Sequence, residues 1–150
     1  MKLLLLILGA WFVLTAALTP LYAKDSGTCT LKVVAHEYRN LKGKICVAVY
    51  DKEDGWLDGG KYVVHSKCVS PQKKETTIAF DNVKHGQYGV SLFHDEDENG
   101  ELETNWIGMP KEGIGISNNA RGSFGPPSFK DAAFAVNKDC AVQRIKLSYL

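Results

Sequence analysis

The stretch Thr76-Thr-Ile-Ala-Phe-Asp-Asn-Val-Lys-His-Gly-Gln-Tyr-Gly-Val-Ser-Leu-Phe93 decides the fold class. Thr76 to Phe80 and Tyr88 to Phe93 are short β-rich runs, and Lys84-His85-Gly86 supplies the turn between them. Working outward, the same rhythm recurs on both sides. Leu31, Val33 and Ala35 alternate with Lys32, Val34 and His36, the period of a half-buried strand. Asn40 to Gly43 is a turn, Ile45 to Tyr50 an apolar run, and Tyr62 to Val69 a further β-rich stretch ended by Pro71. Towards the C-terminus, Ala132 to Val136 and then Ile145, Leu147 and Tyr149 give two more. About seven short strands at close spacing, with no long amphipathic helix, predict an all-β antiparallel sandwich.

The chain has 150 residues with a formal net charge of +1, which suits one domain and gives no electrostatic footprint for a nucleic-acid partner. Its N-terminus differs from the rest. Lys2, the apolar run Leu3 to Leu18 and the small residue closing Leu21-Tyr22-Ala23 follow the order of a secretory signal peptide. The expected organisation is a signal over residues 1–23 and a single domain over 24–150, exported to the periplasm or the extracellular space. No membrane span is expected once the signal is removed. Cys29, Cys46, Cys68 and Cys140 all lie in the second part, and four cysteines allow three pairings. Spacing favours Cys46–Cys68 as a local bridge and Cys29–Cys140 as a tie between the two ends. No C-x-x-C is present, which argues against a zinc cluster or a thioredoxin-like site.

Residues 94–130 break the rhythm. A long, mostly irregular loop inside a compact domain is usually functional, and this one carries Trp106, Ile107, Met109, Ile114, Ile116, Phe124 and Phe129. Those groups are expected to fold over one end of the sandwich. The loop opens with His94-Asp-Glu-Asp-Glu-Asn-Gly-Glu-Leu-Glu-Thr-Asn105, where six acidic residues fall between Asp95 and Glu103 with no basic residue among them. Asp95, Asp97 and Asn99 at alternate positions, followed by Gly100, match the D-x-[DN]-x-[DN]-G opening of a calcium loop. Position twelve is Trp106 rather than a closing Glu, so the loop is not an EF-hand. Glu101, Glu103 or Asn105 would have to complete a calcium site. The bland alternative is a solvated acidic turn, with Arg121 available to pair with it.

Enzyme signatures are weak: no G-x-S-x-G, no H-E-x-x-H and no phosphate-binding glycine loop. His94 beside Asp95 has the form of a base with its orienting carboxylate, but no nucleophile can be assigned to it beyond loop serines such as Ser117.

The acidic run, together with Gly108-Met-Pro-Lys-Glu-Gly113, Gly115-Ile-Ser-Asn118 and Pro127-Ser-Phe-Lys-Asp-Ala132, closely resembles the bacterial domain-of-unknown-function 2141 family. That family's pattern is approximately H-D-x-N-x-N-G-x-L-D-T-N, then G-x-P-x-E-G-x-G-x-S-N, then P-x-F-x-D-A. Gly43 to Tyr50 looks like its second strand, and Phe80 to Tyr88 like its hairpin. Asp97 departs from the family's Asn and Glu103 from its Asp, both keeping a side-chain oxygen. The resemblance implies an exported protein with a transthyretin-like or carboxypeptidase-regulatory-like sandwich and no assigned activity. It leaves the cysteine pairing open.

Three functional expectations follow. The first is a non-enzymatic recognition protein for a glycan, a peptide or an envelope component. Its loop would be ordered by calcium held by Asp95, Asp97, Asn99, Glu101, Glu103 and Asn105, with His94, Glu112, Ser117 and Asn118 behind it or touching the partner. The second is a metal-assisted hydrolase with His94 as base. The third is a purely structural envelope protein in which Trp106, Phe124 and Phe129 cap the core and Asp95 and Asp97 point apart into water.

Overall fold

A computed structural model describes residues 27–150; the expected signal segment lies outside the described residues. Two sheets pack face to face. The first has the order β4-β1-β8, formed by β4 (Glu75–Lys84), β1 (Thr28–His36) and β8 (Ala141–Lys146). The second runs β3-β2-β5-β6 through β3 (His65–Val69), β2 (Lys44–Tyr50), β5 (Gly86–Asp95) and β6 (Gly113–Ile116), and β7 (Phe134–Val136) also pairs with β5. The protein is all-β, as its alternating sequence predicts.

Alternation sets the core. Leu31, Val33 and Ala35 of β1, Ile78 and Phe80 of β4 and Ile145 of β8 meet Ile45, Val47 and Val49 of β2 and Val90 and Leu92 of β5 between the sheets. Burying each of these side chains except Ala35 contributes about 1.5–3 kcal/mol. The outer face of the second sheet is covered at one end by aromatics. Trp56 packs edge-on between Tyr50 (5.0 Å) and Phe129 (5.5 Å), above Gly89, where a Cβ would come within 2.8 Å of the indole.

Both disulfides follow the spacing argument. Cys46 and Cys68 face each other across β2 and β3, and Cys29–Cys140 joins residues 111 apart in sequence.

Three features differ from the sequence reading. Lys84-His85-Gly86 is a corner rather than a hairpin: β4 ends in one sheet and β5 begins in the other, so the two runs never pair. Among the described residues there are eight strands rather than about seven, because β6 lies inside the stretch 94–130. A four-residue Gly-Ile-Gly-Ile segment gives almost no periodic signal. Its glycines are there for close approach, since a Cβ on Gly115 would meet the Ile145 side chain at 2.6 Å and one on Gly113 the Tyr149 ring. Finally, the loop aromatics do not jointly cap the core. Phe129 packs on Trp56, whereas Trp106 is 94% and Phe124 106% exposed.

Candidate functional site

Strand pairing builds the site. β5 and β6 are antiparallel with Phe93 opposite Ile114 and His94 opposite Gly113, so one step further Asp95 faces Glu112. Both are nearly buried, at 2% and 5% exposure, although each carries a carboxyl group. The chain leaving β5 then curls back at Glu98 (φ 59°) and Gly100 (φ 78°), which returns the exposed Asp97 to the same place. One carboxylate oxygen from each of Asp95, Asp97 and Glu112 lies within 4.8 Å of the others.

Backbone N–H groups hold this arrangement. Asn99 N–H donates to Asp95 Oδ1 (3.1 Å) and Asp97 Oδ1 (3.2 Å), and Gly100 N–H donates to Asp95 Oδ2 (3.0 Å). Glu112 accepts from Glu96 N–H through Oε1 (3.0 Å) and from Glu103 N–H through Oε2 (3.2 Å), so it braces both ends of the acidic turn. Each carboxylate oxygen still has a second lone-pair site.

The neighbouring cations are committed elsewhere. Arg39 takes Glu96 in a two-point contact (2.6 and 3.0 Å), which holds the Glu96 carboxyl below its ordinary value and raises the guanidinium. Lys44 pairs with Glu98 at 2.9 Å and Lys111 with Glu103 at 3.7 Å. Among the described residues no basic side chain comes within 4.0 Å of the carboxylates of Asp95, Asp97 or Glu112; Arg121 forms no ion pair with the acidic turn.

The other residues singled out from sequence have different surroundings. Asn99 Oδ1 accepts from Glu101 N–H (2.7 Å), and its Nδ2 donates to Asp97 Oδ2 (2.9 Å), so Asn99 ties the turn to itself. The Glu101 and Glu103 side chains are exposed and stand outside the converging trio. Asn105 Oδ1 accepts from Ile107 and Met109 N–H (3.0 Å each), shaping a small hairpin in which Glu103 and Lys111 are joined by a backbone bond. Ser117 and Asn118 lie past the far end of β6. Ser117 Oγ accepts from Val90 N–H and donates to the Ala132 carbonyl, while Asn118 Nδ2 donates to the carbonyls of Asp131 and Ala133. They pin the chain between β6 and β7.

His94 is fully buried. The Lys42 carbonyl, 2.7 Å from Nε2, can only accept, so Nε2 carries the proton. In the neutral ring Nδ1 then accepts from the Tyr149 hydroxyl (2.7 Å), whose oxygen in turn takes the Arg39 backbone N–H. Neither nitrogen has a lone pair left for a metal or a substrate proton. Sequence reasoning missed Tyr149 and the Lys42 carbonyl because neither adjoins His94 along the chain.

Burial raises the Tyr149 pKa above its usual value of about 10. Above that pH the unfolded tyrosine ionises while the folded one keeps its proton, so stability is full below about pH 10 and falls as pH rises towards the folded value. Urea unfolding from about pH 9 to about pH 10.5 is expected to show a shallower loss in Tyr149→Phe than in the wild type. Equal slopes would show that Tyr149 does not carry the effect.

A family model described as "Uncharacterized protein conserved in bacteria (DUF2141)" matches residues 33–143, from β1 into β8 and across the whole site. Comparison with curated proteins and with solved structures finds no match.

Proposed function

Because the chain belongs to this family of uncharacterized bacterial proteins, whose description assigns no activity, we propose that it is an exported, non-catalytic recognition protein. In this reading its acidic turn is ordered by calcium. The observation carrying the proposal is the convergence of Asp95, Asp97 and Glu112 with no basic side chain among the described residues within 4.0 Å of them. Three carboxylate oxygens converging on one place repel one another unless a counter-charge offsets them. A hard cation with oxygen ligands does so. Ligands at about 2.3–2.6 Å from calcium stand no more than about 5 Å apart, which accommodates the 4.8 Å spread.

Asp95, Asp97 and Glu112 would hold the ion. The Asn99 side chain and backbone carbonyls of the turn are the nearest further oxygens by sequence, and water would complete the shell. Calcium supplies charge neutralisation and rigidity here. Support for export comes from the two disulfides, which suit an oxidising compartment. No helix among the described residues is long and apolar enough to cross a membrane. The hydrolase reading gains no support from His94, because both its ring nitrogens are bonded within the fold.

Isothermal titration with calcium tests the proposal. An affinity of about 10⁻⁴–10⁻³ M is expected, typical of extracellular modules. Binding should raise the melting temperature at millimolar calcium, and Asp97→Ala should abolish both signals. No heat and no thermal shift in the wild type would leave the structural reading, a solvated acidic turn, in its place.

A further inference from the structure

We infer that Cys46–Cys68 is a reversible redox site, at which a thiolate from outside the molecule attacks Cys68 and opens the bridge while the protein stays folded. The two residues stand in different surroundings. Cys46 lies on β2, an interior strand of the second sheet, and is 6% exposed. Cys68 is exposed and lies on β3, the edge strand, with no further strand paired to it among the described residues. An attacking sulfur approaches in line with the bond that it breaks, so access decides which sulfur is reached. Behind Cys46 that path is closed, because β5 pairs with β2 and sets Phe93 opposite Cys46. Behind Cys68 it leads off the edge of the sheet.

Charge favours the same residue. From Lys61 to Lys74 the chain carries Lys61, Lys67, Lys73 and Lys74 and no acidic residue, and all four lysines are exposed. Reactive sulfurs sit in electropositive, accessible settings, and the incoming thiolate is an anion. Cys140, the exposed member of the other bridge, follows Lys138-Asp139, whose charges cancel.

The local fold does not depend on the sulfurs. Backbone pairing runs from Ile45 opposite Val69 to Val49 opposite His65, on both sides of the cysteines. Cys29–Cys140 instead stands outside its ladder, which begins at Leu31 and Ala141. In the exchange, a bond from the incoming thiolate to Cys68 Sγ forms as the Cys46–Cys68 bond breaks. The electron pair leaves on Cys46 Sγ, which takes a proton from water, and a second thiol then displaces Cys68. Two electrons enter the bridge, and the two external thiols leave as a disulfide.

Exchange in the folded full-length chain, without denaturant, tests this, with reduced glutathione in one arm and a reduced thioredoxin-fold protein in the other. Free thiols are alkylated at intervals and located by peptide mass. Cys46 and Cys68 are expected to be alkylated about tenfold faster than Cys29 and Cys140, with the far-ultraviolet circular dichroism unchanged. The trapped mixed disulfide should be on Cys68. Opening in the glutathione arm assigns a small-molecule thiol as the source, and opening by the protein alone assigns a protein dithiol. Equal or reversed rates for the two bridges, an adduct on Cys46, loss of the sheet signal as thiols appear, or no opening in either arm overturns the inference.

Discussion

Replacing Cys29 and Cys140 together by alanine is expected to cost about 2–5 kcal/mol and to lower the melting temperature by about 5–15 °C. The bridge spans 111 residues, and a cross-link over that length removes more freedom from the unfolded chain than one over 22. It also stands where local sequence gives least help. β1 and β8 pair in parallel, Leu31 opposite Ala141 through His36 opposite Lys146, and no short turn holds them in register. Cys46–Cys68 instead links strands already paired through five consecutive positions. The paired variant Cys46→Ala/Cys68→Ala should therefore lose less. Urea unfolding of the two double variants checks the order. A reversal would mean that residual structure in the unfolded chain dominates over loop length.

His94→Phe is expected to destabilise the protein by about 2–4 kcal/mol, because it deletes both polar contacts and puts a slightly larger ring in a fully buried place. The Lys42 carbonyl and the Tyr149 hydroxyl would each lose their bond to the buried ring. The loss falls on the junction of three segments: the turn before β2, the end of β5 and the C-terminal tail. Chemical denaturation measures it. Calcium titration of the folded variant separates this role from a direct one. Unchanged calcium affinity with reduced stability is the expected result, and loss of calcium binding in a folded variant would show that His94 serves the ion.

Most strands were legible because their apolar residues alternate and face one core. Leu31, Val33 and Ala35 needed only a period of two to be recognised, and their side chains are buried. What escaped was anything decided by a partner distant in sequence. β6 has glycine at half its positions because Ile145 and Tyr149 press on it, and those neighbours are some thirty residues away. Once β6 is missed, nothing in the sequence brings Glu112 opposite Asp95, and candidate metal ligands are sought along one continuous loop. Glu101, Glu103 and Asn105 fitted the spacing of a continuous calcium loop, but the third converging carboxylate comes from across a strand pair. Trp106 and Phe124 misled in the other direction. Apolar character alone favours burial, and only the hairpin geometry sets the indole outward.

The parallel pairing of β1 with β8 has a consequence in time. β1 is the middle strand of its sheet, so until residues 141–146 are available one of its edges stays open. An unpaired strand edge is a template for joining other chains. A molecule interrupted before Ala141 could complete the β1–β4 ladder and still carry that open edge. Its last strand must cross a long stretch of chain to close the sheet, and non-local pairing of this kind folds slowly. The dangerous interval for this protein is thus between emergence of β4 and arrival of β8. A chaperone acting on it would be needed then, and of little use after Cys140 has met Cys29.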